Sequence, residues 1–436
     1  MSNNYYIFGL GKSGIATAKF LAARNLNFIA YDDNDDARAS LQAQISTPVV
    51  FKNYTEIDFK TIKTLVLAPG IPLLNNPHKI VELAKNAGCE IICDVELLHR
   101  FARLEAKNSS FVGITGTNGK STTTALIHFI LKECGLDAEI GGNFGIPALD
   151  LNIKDGKIYV IETSSFQLDL LAQARYNVSI LLNITPDHID RYGSYEGYIN
   201  SKKQIFNNQQ AGDEAIICTY DEICAGIATE LKASSKAKII AYKTAEVLKG
   251  VTFDNLPGEH NRQNIYAAFC VAKFYGLDDD KIIAAIRKFP PLKHRLQFIK
   301  EVNGVKFIND SKATNASSTS HALKAFNNIF WLAGGIAKEG GIEELAPLFG
   351  HVTKTFLYGK CAAEFAETLK KNNQNYEVFE NLEQATKAAY SEAKNHQPLT
   401  TSHQPVVLLS PATASFDQFK SFEHRGDVFI DLVSGL

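Results

Sequence analysis

The chain has 436 residues, more than one hydrophobic core usually serves, so two or three domains are expected. Its 45 Lys+Arg against 47 Asp+Glu leave a net charge of −2, which gives no global electrostatic reason for nucleic acid or an anionic membrane as partner. No run approaches the roughly 20 apolar residues that span a bilayer, the opening MSNNYYIFGL lacks a basic segment followed by an apolar stretch, and the seven cysteines form no paired CxxC. A cytoplasmic protein with reduced thiols is expected.

Apolar β-type runs alternate with segments of helical period, the pattern of parallel sheets covered by helices, so the fold class is α/β. The chain opens with YYIFGLGKSGIATAKFLAARNLNFIAYDD: a strand, a GxGxxG turn at Gly9, Gly11 and Gly14, a helix, and a second strand ending in Asp32 and Asp33. This order is that of a dinucleotide-type βαβ unit, in which one of the two aspartates would face a ribose. The strand KTLVLAPG and the helix HKIVELAKNAG complete a first, Rossmann-like domain over 1–93.

A second domain, 94–290, carries the strand SSFVGIT, the loop GTNGK and the helix KSTTTALIHFILKECG, whose face Ala125, Leu126, Phe129 and Ile130 is apolar and whose stop is Gly135. The usual phosphate loop has a glycine where Ile114 stands, yet the required chemistry is present. Gly116 and Gly119 let backbone N–H groups approach phosphate, Lys120 supplies a cation, and Ser121 or Thr122 supplies a hydroxyl for magnesium at a helix start. Downstream, Glu162 ends the strand KIYVIE, where an acid can hold a hard cation beside the loop. After the strand NVSILLNI, the run TPDHIDRY gathers Asp187, His188, Asp190 and Arg191. On its own His188 reads as an ordinary loop histidine, and Lys202 in YINSKKQIF as a surface lysine. Pro290 and Pro291 in FPPLKHR mark a linker.

The third domain, 291–436, opens with LQFIKEVNGVKFIND, a hairpin signal around Asn303 and Gly304, and continues through the strands IFWLAGG, KTFLYG and PVVLLSP. The turns NDSKATN, GGIAKEGG and SPATASFDQFKSFEHRG bring a lysine or polar residues to strand ends, which points to a pocket for a small anion.

In that order, GTNGKST, ETSSFQ, DHIDRY, HNRQN, HR, NDSKATN and SPATASFDQFKSFEHRG resemble the Mur ligases, and among them those that add D-glutamate to UDP-N-acetylmuramoyl-L-alanine. The resemblance covers nearly the whole chain. It implies a P-loop ATPase-like central domain with a mostly parallel sheet between two Rossmann-like ones, and a reaction in which ATP converts the substrate carboxylate to an acyl phosphate that the amino acid's amine attacks. Gly116, Thr117, Asn118, Gly119, Lys120, Ser121, Thr122, Asn261, Asn264, Arg295 and Asp310 would then serve ATP. Ser121, Glu162, His188 and a carbamylated Lys202 would serve Mg2+. Gly11, Lys12, Ser13, Asp33, Gly70 and Asn143 would serve the UDP-substrate, although Asp33 and Asn34 stand where a polar or basic pair is expected near uracil. Lys312, Thr314, Lys338, Ser415 and Phe422 would serve D-glutamate. A monomer is expected. The competing readings are a sister ligase for another amino acid, a nicotinamide oxidoreductase resting on residues 5–33 alone, and an ATP-driven module without ligation.

Overall fold

The computed structural model describes residues 5–243, 248–253, 255–256, 258–290, 292–338, 340–396 and 404–436. Pro291 of the expected linker, Glu339 of GGIAKEGG and the first four residues lie outside them. The chain forms two compact units, Met1–Phe289 and Pro290–Leu436.

The first unit contains two sheets. Strands β1 (Tyr5–Phe8), β2 (Phe28–Tyr31), β3 (Thr64–Leu67) and β4 (Glu90–Ile92) pair in parallel in the order β2-β1-β3-β4. Strands β5 (Ser110–Thr115), β6 (Ala138–Gly142), β7 (Ile158–Glu162), β8 (Val178–Leu181), β9 (Glu214–Cys218) and β10 (Lys238–Tyr242) form a second parallel sheet, ordered β10-β9-β8-β5-β7-β6. The central strands are continuous apolar runs because helices cover both faces of such sheets. Strand β5 lies between β7 and β8, so strand order reverses beside it, and the crevice beyond its carboxyl end is where α/β sheets take ligands.

In the first sheet the helix Lys12–Ala23 presses against the turn that precedes it: a Cβ on Gly14 would lie 2.0 Å from the Gly9 carbonyl oxygen. The two sheets share one buried apolar cluster running from Tyr5 to Ala228. The helix Asp94–Glu105 is pinned between them. Its fully buried Glu96 accepts hydrogen bonds from the backbone N–H groups of Ala172, Gln173 and Ala174 and from Arg100.

The helix Lys120–Glu133 differs from the single-faced helix the sequence predicts. It is buried continuously from Ser121 to Ile127, because the helices Glu259–Phe274 and Asp279–Lys288 cover the side away from the sheet.

The second unit is one six-stranded sheet of β11 (Gln297–Val302), β12 (Val305–Asn309), β13 (Ile329–Gly334), β14 (Val352–Tyr358), β15 (Tyr376–Val378) and β16 (Val406–Leu409), ordered β11-β12-β16-β13-β14-β15. The β11–β12 hairpin is antiparallel and the other pairs are parallel. Asn303 and Gly304 turn the hairpin with φ of 50° and 79°, the positive values a two-residue turn needs to match strand twist. No helix among the described residues is long and apolar enough to cross a membrane.

Candidate active site

The phosphate loop leaves β5 and enters the helix at Lys120. Gly116 and Gly119 both have positive φ, 153° and 85°, and a Cβ on Gly119 would lie 2.6 Å from Asn264 Oδ1. Glycine at 119 is therefore required twice over, by backbone conformation and by space. Asn264 in turn donates to Asn261 Oδ1 at 3.4 Å, so the helix Glu259–Phe274 sets Asn264 against the loop and Asn261 beside Asn264. Lys120 Nζ curls back over the loop, donating to the carbonyls of Gly116 and Thr117, both at 2.8 Å. Ser121 and Thr122 are buried in the first helical turn, where the N–H groups lack intrahelical partners and the helix end is positive.

Lys202 is not the surface lysine its local sequence predicts. It is 1 % exposed, and its Nζ donates to the Gly116 carbonyl at 2.9 Å and to Thr115 Oγ1 at 3.4 Å, with the Tyr198 ring 4.7 Å away. Two lysine Nζ atoms thus share one loop carbonyl. Burial first, and the Lys120 charge second, push Lys202 well below the ordinary lysine range, against the opposing pull of Asp187 and Glu162. The amine is thereby biased toward its neutral form, the only form that can react as a nucleophile.

Glu162 ends β7, registered against Ile114 of β5 and Gly142 of β6. Its Oε1 accepts from Asn143 Nδ2 at 2.6 Å, and its Oε2 is buried without a hydrogen-bond partner. An orphaned carboxylate oxygen beside the strand end that leads into a phosphate loop fits a hard cation. Among the described residues no cluster of three or more His, Cys, Asp and Glu side chains forms a metal cage. Magnesium takes one or two carboxylates and completes its shell with phosphate and water.

His188 has φ of 55°, uncommon for a residue with a side chain. Its ring lies 4.9 Å from the Phe166 ring and 6.1 Å from Tyr198, and its backbone N–H donates to Asp187 Oδ1. Lys120, Lys202, Glu162 and Asp187 therefore gather around the carboxyl ends of β5, β7 and β8, with His188 at the edge of the group. This convergence depends on sheet order, which no local pattern reveals.

Gly11, Lys12 and Ser13 stand at the start of the helix Lys12–Ala23, with Gly70 on the neighbouring loop after β3. The Asp32 carboxylate accepts from the Leu10 and Asn34 backbone N–H groups, so it braces the glycine turn, while Asp33 is exposed. Arg191, gathered with His188 in the run TPDHIDRY, reaches the Gly70 loop. Its guanidinium donates to the carbonyls of Pro69, Gly70 and Ile71 and lies over the Phe166 ring, tying the Gly70 loop to the His188 segment.

In the second unit, Lys312 Nζ sits 3.8 Å from the Phe422 ring centroid. Thr314 and Lys338 are partly exposed, and Ser415 is buried. The fully buried Arg425 donates to Ser311 Oγ and O, to the Gly334 carbonyl and to Thr413 Oγ1 and O, gripping all three predicted turns with one planar fork. Asp310 accepts from Ser410 Oγ and the Leu296 N–H, and burial pushes it up to about 7. Arg295 immediately precedes Leu296 in this unit.

Three family models match consecutive stretches: a Mur ligase MurD-like N-terminal domain over residues 3–93, a Mur ligase middle domain over 114–272, and a Mur ligase glutamate ligase domain over 294–412. A Rickettsia felis protein named UDP-N-acetylmuramoylalanine–D-glutamate ligase is 40% identical, the match covering 98% of this chain and 96% of that one. An Agrobacterium fabrum protein of the same name is also 40% identical, over 99% and 94%. Among solved structures, MurC from Thermotoga maritima aligns with a TM-score of 0.60 at 15% identity over 99% of both chains. MurF from Acinetobacter baumannii aligns with a TM-score of 0.60 at 19% identity, over 84% of this chain and 90% of that one. These structures share the fold. The full-length similarity displaces the oxidoreductase reading of residues 5–33, and the chain belongs to the Mur ligase family of ATP-dependent ligases.

Proposed function

We propose that this ligase joins D-glutamate to UDP-N-acetylmuramoyl-L-alanine in peptidoglycan precursor synthesis, working in the cytoplasm as a monomer. The amino acid and the nucleotide substrate come from the names of relatives 40% identical over the full length. The observation that carries the chemistry is the partly buried Lys120 and the fully buried Lys202 beside the half-satisfied carboxylate of Glu162.

A carboxylate oxygen of the muramoyl-alanine attacks the γ-phosphorus of ATP, ADP leaves, and an acyl phosphate forms. The D-glutamate amine attacks the acyl carbon and loses a proton, and inorganic phosphate departs with the former carboxylate oxygen. Two anions must meet in the first step, so electrostatic neutralisation and positioning supply most of the acceleration. Lys120 swings from the loop carbonyls to the β- and γ-phosphates, and the glycine loop and helix start take the remaining phosphate charge. Asn261, Asn264, Arg295 and Asp310 serve the rest of the nucleotide. Lys202 as a neutral amine adds to carbon dioxide, gaining an N–C bond and releasing one proton, which replaces an amine by a carboxylate. Ser121, Glu162, His188 and that carbamate would hold Mg2+, which when bound neutralises phosphate charge. Gly11, Lys12, Ser13, Asp33, Gly70 and Asn143 take the UDP-substrate. Lys312, Thr314, Lys338, Ser415 and Phe422 take D-glutamate, with lysine cations for its carboxylates.

The test is phosphate release from ATP with the substrates added singly and together. Release that needs both UDP-N-acetylmuramoyl-L-alanine and D-glutamate is expected. Release indifferent to the amino acid, or preference for a different one, would overturn the assignment.

A further inference from the structure

The ladder between β5 and β8 ends at the pair Thr115–Leu181, just before the phosphate loop begins. Beyond that point the loop has no strand partner, yet its peptide groups must be held in one orientation for phosphate to be met by fixed dipoles. A side chain takes over there. Asn183 Oδ1 accepts from the Asn118 N–H at 2.8 Å, and Asn183 Nδ2 donates to the Asn118 carbonyl at 3.0 Å. The amide thus pairs with both backbone groups of one loop residue, as a neighbouring strand would. The Asn183 carbonyl also accepts from the Thr117 N–H at 2.9 Å.

The link is reciprocal. Thr117 Oγ1 accepts from the Thr185 N–H at 3.0 Å and lies 3.2 Å from both the Thr185 carbonyl and Tyr198 Oη. Gly116 completes the fit, since a Cβ there would stand 3.1 Å from Leu182 Cβ and 3.3 Å from the Asn183 nitrogen. The segment so stitched to the loop runs on to Asp187 and His188 within five residues.

We propose that Asn183 is a positioning residue for the nucleotide: its side-chain amide sets the Thr117–Asn118 step of the phosphate loop and locks it to the segment that carries His188. The inference rests on the reading of this loop as the triphosphate site. It predicts a selective effect, because the UDP-substrate residues of the first sheet do not depend on the Asn118 peptide.

The experiment titrates a fluorescent ATP analogue into the wild-type chain and into Asn183→Ala and Asn183→Leu, the latter close in size and without hydrogen bonds. Melting curves and KM values for ATP and for UDP-N-acetylmuramoyl-L-alanine are measured on the same samples. Both variants should bind the analogue about tenfold more weakly, the scale of a lost buried hydrogen bond. The KM for the UDP-substrate should stay within about twofold, well under the tenfold that 1.4 kcal/mol represents. Wild-type nucleotide affinity in a folded variant, equal losses for both ligands, or failure of both variants to fold would each overturn the proposal. If the wild-type chain itself binds no analogue, the triphosphate reading fails first and the role of Asn183 falls with it.

Discussion

Lys202 shows how one residue can mislead locally and still inform globally. Its neighbours in YINSKKQIF make a polar helix on which a lysine belongs in water, whereas sheet order carries it to the Gly116 carbonyl and buries it. Only the resemblance to a family marked it in advance, since a single chain holds no record of which distant strand a helix will cover. Lys120, by contrast, was legible from its glycines and the helix that follows. Removing Lys120's charge leaves the loop fold but strips its main cation, so Lys120→Ala should lower kcat by about 10²-fold or more, the scale of one removed electrostatic stabiliser. Its melting temperature should stay near wild type. Lys202→Ala should lose activity to a similar degree, about 10²-fold, and millimolar acetate, entering the space the side chain vacates, should restore part of it. Activity near wild type in either variant, assayed by ADP release, would contradict these roles.

At the level of elements, the strongly patterned pieces were readable: the Gly9–Gly14 turn, the strand–loop–helix around 110–133, and the Asn303–Gly304 hairpin. The short strands β4, β6, β9, β10 and β15 were not. Sequences such as AEIGG and KIIAY are too brief to stand out, and they are strands because a neighbour pairs with them. The stop and start of elements also carry strain that pattern alone cannot price. A Cβ at Gly14 would overlap the Gly9 carbonyl at 2.0 Å, so Gly14→Ala must push the helix Lys12–Ala23 off its turn. We expect a loss of about 1–3 kcal/mol, the usual cost of overpacking, read as a lower denaturant midpoint, together with weaker UDP-substrate binding. An unchanged midpoint would show that the turn is looser than its geometry implies.

Across the whole molecule, three successive α/β segments were legible from alternation, while the packing that merges the first two sheets into one unit was not. It combines one shared apolar cluster with Glu96, whose carboxylate meets backbone groups some 76 to 78 residues away. The second unit carries its own pH signature. Burial raises Asp310 from an unfolded value of about 3.9 to about 7 in the folded chain. Between those values the folded state holds a proton that the unfolded state has released. The contribution is therefore fully present below pH 4 and is lost as pH rises through 7. Trp331, the single tryptophan, donates to the Ser410 carbonyl while Ser410 Oγ donates to Asp310, so its fluorescence reports this unit. Unfolding followed at Trp331 should become easier from pH 5 to 8, and Asp310→Asn should flatten that slope; an equal slope in both chains would place the titration elsewhere.

The claim on which all of this depends is that the middle sheet's loop delivers phosphoryl to a carboxylate before an amine takes its place. The direct measurement uses UDP-N-acetylmuramoyl-L-alanine labelled with oxygen-18 in its carboxylate, with ATP and D-glutamate, and follows the isotope shift of the phosphorus resonances. One labelled oxygen should appear in each inorganic phosphate released. Phosphate that carries no label while amide product accumulates would contradict the acyl-phosphate route and the site drawn around it.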